Sequence, residues 1–338
     1  MATTQLGRLS FGRYPTPVHP IAALSAPGCD LWVKRDDLTH EVYGGNKVRK
    51  LEYLLGEARA AGATRLVTVG AAGSHHVLAT TYFGKIAGFA VEAILVTQPR
   101  TEHAVEVLKA SLALGVRAFP ARSWAAASWA LARRIAAGSR FIPLGGSNVT
   151  GTMGYLDGAR ELAAQVRAGA MPEPDVCVVA LGSAGTAAGL AAGFSEARMK
   201  TRVVGVCVAR PPSLSRALAI DLARGCARRA NIDAGDVTGR WRLAFDTRFL
   251  GVGYGHATLS GDEATRDAWE GAGLVLDPTY TAKTFAAALW QVRARREPVV
   301  LYWHTLSSAP LRPLMTGAEY EPSHDFLLQA LFGPPPSS

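Results

Sequence analysis

The stretch that decides the fold reads Val176-Cys177-Val178-Val179-Ala180-Leu181-Gly182-Ser183-Ala184-Gly185-Thr186-Ala187-Ala188-Gly189, and it continues to Phe194 without a charge. An uncharged run of that length raises a membrane question. Its apolar, β-branched part ends at Leu181, however, and glycines follow at 182, 185, 189 and 193. The run therefore reads as strand, glycine turn and small-residue helix. Backbone N–H groups of such a turn, with the hydroxyls of Ser183 and Thr186, suit a phosphate. The turn has no GK[ST] and so is not a Walker loop, and it is not the GxGxxG dinucleotide fingerprint. A tight strand–helix turn with no ligand is the plain alternative.

Outward from this unit the same alternation repeats. Val48, Leu51, Leu54, Leu55 and Ala58 form one stripe of a helix over 48–61. Strands are expected at 66–69, 91–96, 116–119, 176–180, 203–208 and 299–302, with helices at 77–87, 102–114 and 125–137. Strands separated by helices imply parallel sheets in an α/β protein. Two such series are visible, from about 50 to 150 and from about 170 onward, and they meet in the turn-rich Gly145-Gly146-Ser147-Asn148. The expected architecture is two domains, each an open twisted mostly parallel sheet flanked by helices. A ligand is then expected in the inter-domain cleft, at the carboxyl ends of strands.

The 338 residues are 49% hydrophobic and 19% charged, which excludes a disordered chain. The net charge of +9 invites a nucleic-acid reading. Yet the densest basic runs, Arg133-Arg134, Arg228-Arg229 and Arg293 to Arg296, lie in Ala/Leu-rich helical stretches and read as solvated faces. Neither nucleic acid nor membrane is expected as a partner. Cys29, Cys177, Cys207 and Cys226 show no CxxC spacing, so neither a zinc knuckle nor a redox motif is expected. Residues 1–10 lack an apolar signal core, and a reduced, soluble, cytoplasmic protein is expected.

Five segments carry candidate chemistry. Lys34-Arg35-Asp36-Asp37 is followed by Gly44-Gly45-Asn46-Lys47, which places a lysine on a glycine loop at a helix start. Burial makes such an amine a nucleophile; left in water it is an ordinary surface lysine. The glycine turn at 182–186 is the second segment. Gly73-Ser74-His75-His76, at a strand's carboxyl end, offers a hydroxyl and two imidazoles for a carboxylate or a proton. Adjacent histidines point in different directions, so no metal is expected there. The fourth segment is Gly253-Tyr254-Gly255-His256 with Leu276-Asp277-Pro278-Thr279-Tyr280-Thr281-Ala282-Lys283, where Tyr280 falls at a helix start. The last is Tyr302-Trp303-His304-Thr305, closing a strand. Alone, Tyr280 reads equally well as a packing aromatic and Thr305 as a helix cap.

In order, these five segments resemble the pyridoxal-phosphate enzymes of the tryptophan-synthase β-subunit fold (fold type II). The resemblance is strongest to the D-cysteine desulfhydrase and 1-aminocyclopropane-1-carboxylate deaminase branch. It runs from Tyr14-Pro15-Thr16-Pro17 to His304-Thr305 and includes Gly145 to Tyr155. It implies that Lys47 is the Schiff-base lysine. Gly182, Ser183, Ala184, Gly185 and Thr186 form the phosphate turn, and Thr305 faces the pyridine nitrogen. Asn46 and Tyr280 line the ring and the substrate, Ser74 faces the substrate carboxylate, His75 stands where the family's asparagine binds the cofactor or substrate, His76 and Tyr254 bind the substrate, and His75, His76 or Tyr280 assist the leaving group. A catalytic set of Lys47, Ser74 and Tyr280 follows, with pyridoxal 5'-phosphate as cofactor, a small amino acid as substrate and a homodimer as assembly.

A hydroxyl rather than a carboxylate at Thr305 leaves the pyridine nitrogen largely unprotonated, which favours prompt loss of a β-leaving group. The implied reaction is β-elimination from a small, D-cysteine-like amino acid to pyruvate and ammonia. Deamination, racemisation and β-replacement on the same cofactor, or a binding protein that has lost catalysis, are the alternatives. Thr281 and Thr305 form the desulfhydrase-like pair and disfavour the cyclopropane deaminase. Five positions depart from the family: His75 replaces an asparagine, Leu78 and Ala79 replace arginine and glutamine, and Leu306-Ser307 replace two glycines. At Ala184 the family writes glycine, and a methyl is tolerated there if the backbone angles are ordinary. The expected division is a large cofactor domain over 1–49 and 153–338 and a small substrate-side domain over 50–152.

Overall fold

The computed structural model of the chain describes residues 7–209, 211–233, 237–239, 242–307, 309–316 and 322–333. Strand β1 (Val18–Pro20) and β2 (Asp30–Arg35) lead through a tight turn, Asp36–Leu38, to helix α1 (Lys47–Ala60). Then β3 (Arg65–Ala71), α2 (His75–Ile86), β4 (Ala90–Val96), α3 (Glu102–Ala113), β5 (Arg117–Ala121), α4 (Trp124–Ala132) and β6 (Ser139–Ile142) follow. The chain continues as α5 (Val149–Arg167), β7 (Val176–Leu181), α6 (Gly185–Glu196), β8 (Arg202–Cys207), α7 (Pro212–Ala230) and β9 (Leu243–Asp246). It closes with α8 (Leu259–Ala272), α9 (Thr281–Ala294), β10 (Val299–His304) and α10 (Pro322–Phe332).

Two compact units form. One consists of Gly12–Lys50 and Ser147–Ala309; the other holds Leu51–Gly146 with the described residues before Gly12 and from Pro310 on. The first carries a six-stranded sheet in the order β1-β2-β10-β7-β8-β9, and the second a four-stranded sheet in the order β5-β4-β3-β6. Every pairing is parallel except that of β1 with β2. Two segments fall differently from the expected division. Residues before Gly12 and the described part of the C-terminal segment fold with the four-stranded sheet, where α10 packs on β5 and α3. The break between Gly146 and Ser147 falls just before α5, a few residues earlier than expected.

Local chemistry explains the elements. Ser74, Thr101, Ser123, Asn148 and Thr258 cap α2, α3, α4, α5 and α8, each side-chain oxygen accepting a first-turn N–H. The uncharged stretch splits into β7 and α6 as expected, and no described helix is long and apolar enough to cross a membrane. Its helical glycines serve packing. A Cβ on Gly189 would meet the Thr152 carbonyl at 2.5 Å, and one on Gly193 the Leu156 carbonyl at 2.8 Å, so α5 and α6 lie backbone to backbone. Helix α4 stops at Ala132, short of the expected 137, and Gly138 at φ +75° then turns the chain into β6. The four cysteines are buried and free.

One buried carboxylate ties the six-stranded unit together. Asp36, with no exposed surface, accepts from Arg49 Nε at 2.9 Å and Nη2 at 2.8 Å, from Tyr155 OH at 2.8 Å, from Trp303 Nε1 at 2.8 Å and from Thr16 Oγ1 at 3.0 Å. Arg49 also reaches Glu161 at 2.9 Å, and Glu161 holds the buried Lys34 ammonium. Burial works against the Asp36 charge, but the Arg49 guanidinium outweighs it and holds the carboxyl below the usual range. Arg49 stands two residues after Lys47, so this cluster fixes the start of α1. Asp36→Asn leaves the Arg49 charge partly uncompensated and is expected to cost about 3–5 kcal/mol of stability in urea unfolding. The Asp36 contribution is present at neutral pH and fades as pH falls through its lowered pKa.

Candidate active site

Both sheets reverse their strand order once. In the six-stranded sheet the chain steps from β7 outward to β8 and β9, then returns to β10 on the other side of β7. In the four-stranded sheet it steps from β3 to β4 and β5, then returns to β6 on the other side of β3. Ligands of open α/β sheets sit outside the carboxyl ends of strands at such points. There the first unit places the 182–186 turn, after β7, and Thr305, after β10. The second places Gly73-Ser74-His75 after β3.

Lys47, the first residue of α1, donates from Nζ to Asn46 Oδ1 at 2.7 Å. Asn46 Nδ2 donates to Thr186 Oγ1 at 3.4 Å, and the Asn46 N–H donates to the Thr305 carbonyl at 3.0 Å. A single asparagine thus joins the amine to the glycine turn and to the end of β10. Gly45 makes this possible: at φ +92°, a Cβ there would lie 2.9 Å from the Thr305 carbonyl oxygen. Burial draws the Lys47 ammonium down to about 8, against the opposing pull of the Asp277 carboxylate. The surface-lysine reading is thereby set aside.

The turn is built as an anion cradle. Ser183 Oγ lies 2.8 Å from Ser147 Oγ, and Lys50 Nζ donates to Ser147 Oγ at 3.0 Å. A Cβ on Gly185 would lie 2.7 Å from Ser147 Oγ and 3.2 Å from Lys50 Nζ, so the turn's backbone lies directly against both groups. Lys50 is 1% exposed, and burial and then the neighbouring Lys47 push its ammonium well below the ordinary lysine value. A phosphate beside it would restore that charge. Sequence reading missed Lys50 and Ser147. For Lys50 the signal was its spacing, three residues after Lys47 on one helix, which puts the two amines on adjacent turns.

Ala184 departs from expectation. It stands as N-cap of α6 at φ +68° and ψ −23°, the left-handed region, so its backbone angles are those that favour glycine.

Tyr280 caps the start of α9 over a network centred on Asp277. The Asp277 carboxylate accepts from the N–H groups of Thr279 at 2.9 Å, Tyr280 at 2.7 Å and Thr281 at 3.1 Å, and from Thr281 Oγ1 at 2.7 Å. The Tyr280 ring lies over the turn, with Cε1 3.1 Å from where a Gly182 Cβ would be. Its hydroxyl donates to the Tyr254 hydroxyl at 3.1 Å, the rings meeting edge to face. Burial raises both phenols, so both stay protonated. His304 is buried and pulled down to about 4 by that burial, and its Nδ1 lies 2.9 Å from the Tyr302 hydroxyl.

In the four-stranded unit Ser74 is the buried N-cap of α2. The two histidines diverge. His76 is 4% exposed and bonds Thr68 Oγ1 through Nε2 at 2.9 Å, which engages that nitrogen in packing α2 on β3 instead of the expected substrate contact. His75 turns to α3, where its Nε2 lies 2.8 Å from His103 Nε2 with ring centroids 5.0 Å apart. The difference matches two ring radii, so the two nitrogens point at each other. His103 was not visible in the sequence motif.

A low-pKa lysine, an anion cradle with a second buried amine and a strand-end hydroxyl define an α/β enzyme built around a phosphorylated aldehyde. The residues fit pyridoxal 5'-phosphate. Lys47 would hold its aldehyde; Lys50, Ser147, Ser183, Thr186 and the turn amides would hold its phosphate. Residues 9–305 match the family model described as pyridoxal-phosphate dependent enzyme, and the chain belongs to that family. A crystal structure described as an ACC deaminase homologue is 28% identical with a TM-score of 0.80, covering 92% of this chain and 97% of that one. An O-ureido-L-serine synthase is 18% identical with a TM-score of 0.64, covering 94% and 96%. An L-serine ammonia-lyase from Rhizomucor miehei is 14% identical with a TM-score of 0.63, covering 88% and 96%. These last two share the fold, type II of the pyridoxal-phosphate enzymes.

Two outcomes follow from this geometry. Borohydride trapping of pyridoxal phosphate on the apoenzyme is expected to rise with pH around a midpoint near 8, where an ordinary lysine would rise near 10.5. Ala184→Gly is expected to raise stability by up to about 1 kcal/mol in thermal unfolding, with cofactor affinity kept, because the left-handed angle penalises a methyl.

Proposed function

We propose that this enzyme is a lyase that eliminates a β-substituent from a small, D-cysteine-like amino acid, releasing a keto acid and ammonia. The observation that carries the reading is the placement of Thr305, a hydroxyl residue and not a carboxylate, whose backbone carbonyl accepts from the N–H of Asn46, the asparagine that holds the Lys47 amine. When bound, pyridoxal phosphate supplies an electron sink for negative charge at the substrate Cα. A hydroxyl partner leaves that sink weaker than a carboxylate would, which favours expulsion of a β-substituent over long-lived charge. The Lys47 amine, neutral in substantial fraction near pH 8, takes and returns the Cα proton. Tyr280 and Tyr254 hold their protons and suit the acid role toward a departing sulfide or halide, not the base role. Ser74 and the first-turn amides of α2 suit a substrate carboxylate.

The likeness to an ACC deaminase homologue supports chemistry on a small amino acid. Thr281 and Thr305 favour sulfur or halogen leaving groups over the cyclopropane ring. His75 in place of asparagine, engaged by His103, reshapes the substrate side, so cysteate and β-haloalanines belong beside D-cysteine in the panel.

The test is product analysis with D- and L-amino acids, including D-cysteine and both enantiomers of β-chloroalanine. Pyruvate and ammonia from one substrate are expected, with Lys47→Ala reduced by at least about 10³-fold. Racemised substrate or a β-replaced product in place of pyruvate would move the assignment to those reactions. Turnover retained by Lys47→Ala would overturn the role of that amine.

A further inference from the structure

Lys283 is fully buried and has so far been given no task. It lies on α9 three residues beyond Tyr280, so its side chain emerges one turn along the same face. Its Nζ donates to the carbonyl of Leu250 at 2.9 Å and to that of Gly253 at 2.8 Å. The segment it grips has an unusual backbone: Gly251, Gly253 and Gly255 have φ of +61°, +138° and +79°. Glycine alone adopts such angles freely, and a chain of this kind samples many other shapes unless its polar groups are held. Between two of these glycines stands Tyr254, whose hydroxyl accepts from Tyr280.

We infer that Lys283 is a positioning residue: its two hydrogen bonds clamp the 250–253 loop onto α9 and so deliver Tyr254 to Tyr280. This deepens the function proposed above, because the tyrosine pair is the acid assigned there to the leaving group. Both hydrogen bonds of the ammonium go to the loop, so its influence passes through the loop. Burial lowers its pKa, while Asp277 on the same helix start pulls the other way. Either protonation state retains the hydrogens for both carbonyls.

The experiment compares Lys283→Met, Tyr254→Phe and the double variant, each loaded with pyridoxal phosphate. Amide hydrogen exchange over residues 251–256 is expected to speed up by about tenfold or more in Lys283→Met, with the core of α9 unchanged. With β-chloroalanine as probe, kcat is expected to fall by the same factor in Lys283→Met as in Tyr254→Phe, and no further in the double variant, with bound cofactor retained by absorbance. Unchanged loop exchange, or losses that multiply in the double variant, would overturn the clamp. If Lys283→Met does not fold, Lys283→Gln, whose shorter side chain keeps an N–H donor group, is read by the same two measures, and faster loop exchange than the wild type with a loss of kcat no larger than that of Tyr254→Phe is expected. The exchange measurement needs no turnover, so the clamp stands or falls on it even if product analysis rejects β-elimination.

Discussion

The six-stranded unit is organised around the charge of Asp36. A carboxylate taken fully out of water persists only when its lone pairs are met and an opposite charge sits beside it. Here Arg49 supplies the charge, and Tyr155, Trp303 and Thr16 complete the hydrogen bonds. Those partners come from α1, α5, the end of β10 and the segment before β1. The same residue's backbone carbonyl accepts from Gly45 N–H at 2.8 Å. One side chain thus sets the angle of α1, and one carbonyl sets the loop that precedes Lys47. The reactive amine is positioned by a network that it does not join.

Local patterns made much of this legible. The β-branched run at 176–181 and its glycines announced a strand, a turn and a helix, and the strand–helix alternation announced two parallel sheets. Lys47, Asn46, Thr186 and Thr305 were named from motifs, and the structure joins them through Asn46. What stayed hidden depends on long-range or conformational facts. Trp303 and Asp36 are 267 residues apart, and nothing local in either predicts their bond. Strand β6 shows one buried residue and no clean alternation, and it was not among the expected strands. The left-handed angle of Ala184 is invisible in an alanine, which ordinarily avoids it. His103 lies 28 residues from His75 on a different helix, and only the packing of α3 beside α2 brings them together.

The two sheets solve the same placement problem in the same way. Each runs outward in one direction and then returns on the other side of an earlier strand, β7 in one sheet and β3 in the other. The loops at that point form the edge where ligands of open α/β sheets sit. In one unit that edge carries hydroxyls, amides and amines suited to a phosphate. In the other it carries a capped helix start beside two imidazoles. Chemistry therefore appears where topology leaves backbone N–H groups unspent, which is why short glycine- and serine-rich turns were the informative part of a sequence otherwise rich in alanine and leucine.

The substitution of Leu306 and Ser307 for two glycines looks severe on paper, and the packing shows why the chain absorbs it. The close approach at this point is made by Gly45, whose missing side chain lets the backbone of residues 305–307 come within contact distance. A Cβ on Gly45 would lie 3.1 Å from the Leu306 carbonyl carbon and 3.0 Å from the Ser307 nitrogen. The glycine that the contact requires is thus on the opposite partner, and it is retained. Leu306 and Ser307 are themselves only partly buried. Side chains at these positions can change what lies beside the end of β10 without disturbing the Asn46 to Thr305 hydrogen bond that fixes it. The contact that fixes the end of β10 and the side chains that border it are in this way physically separable, and a chain can keep the first while altering the second.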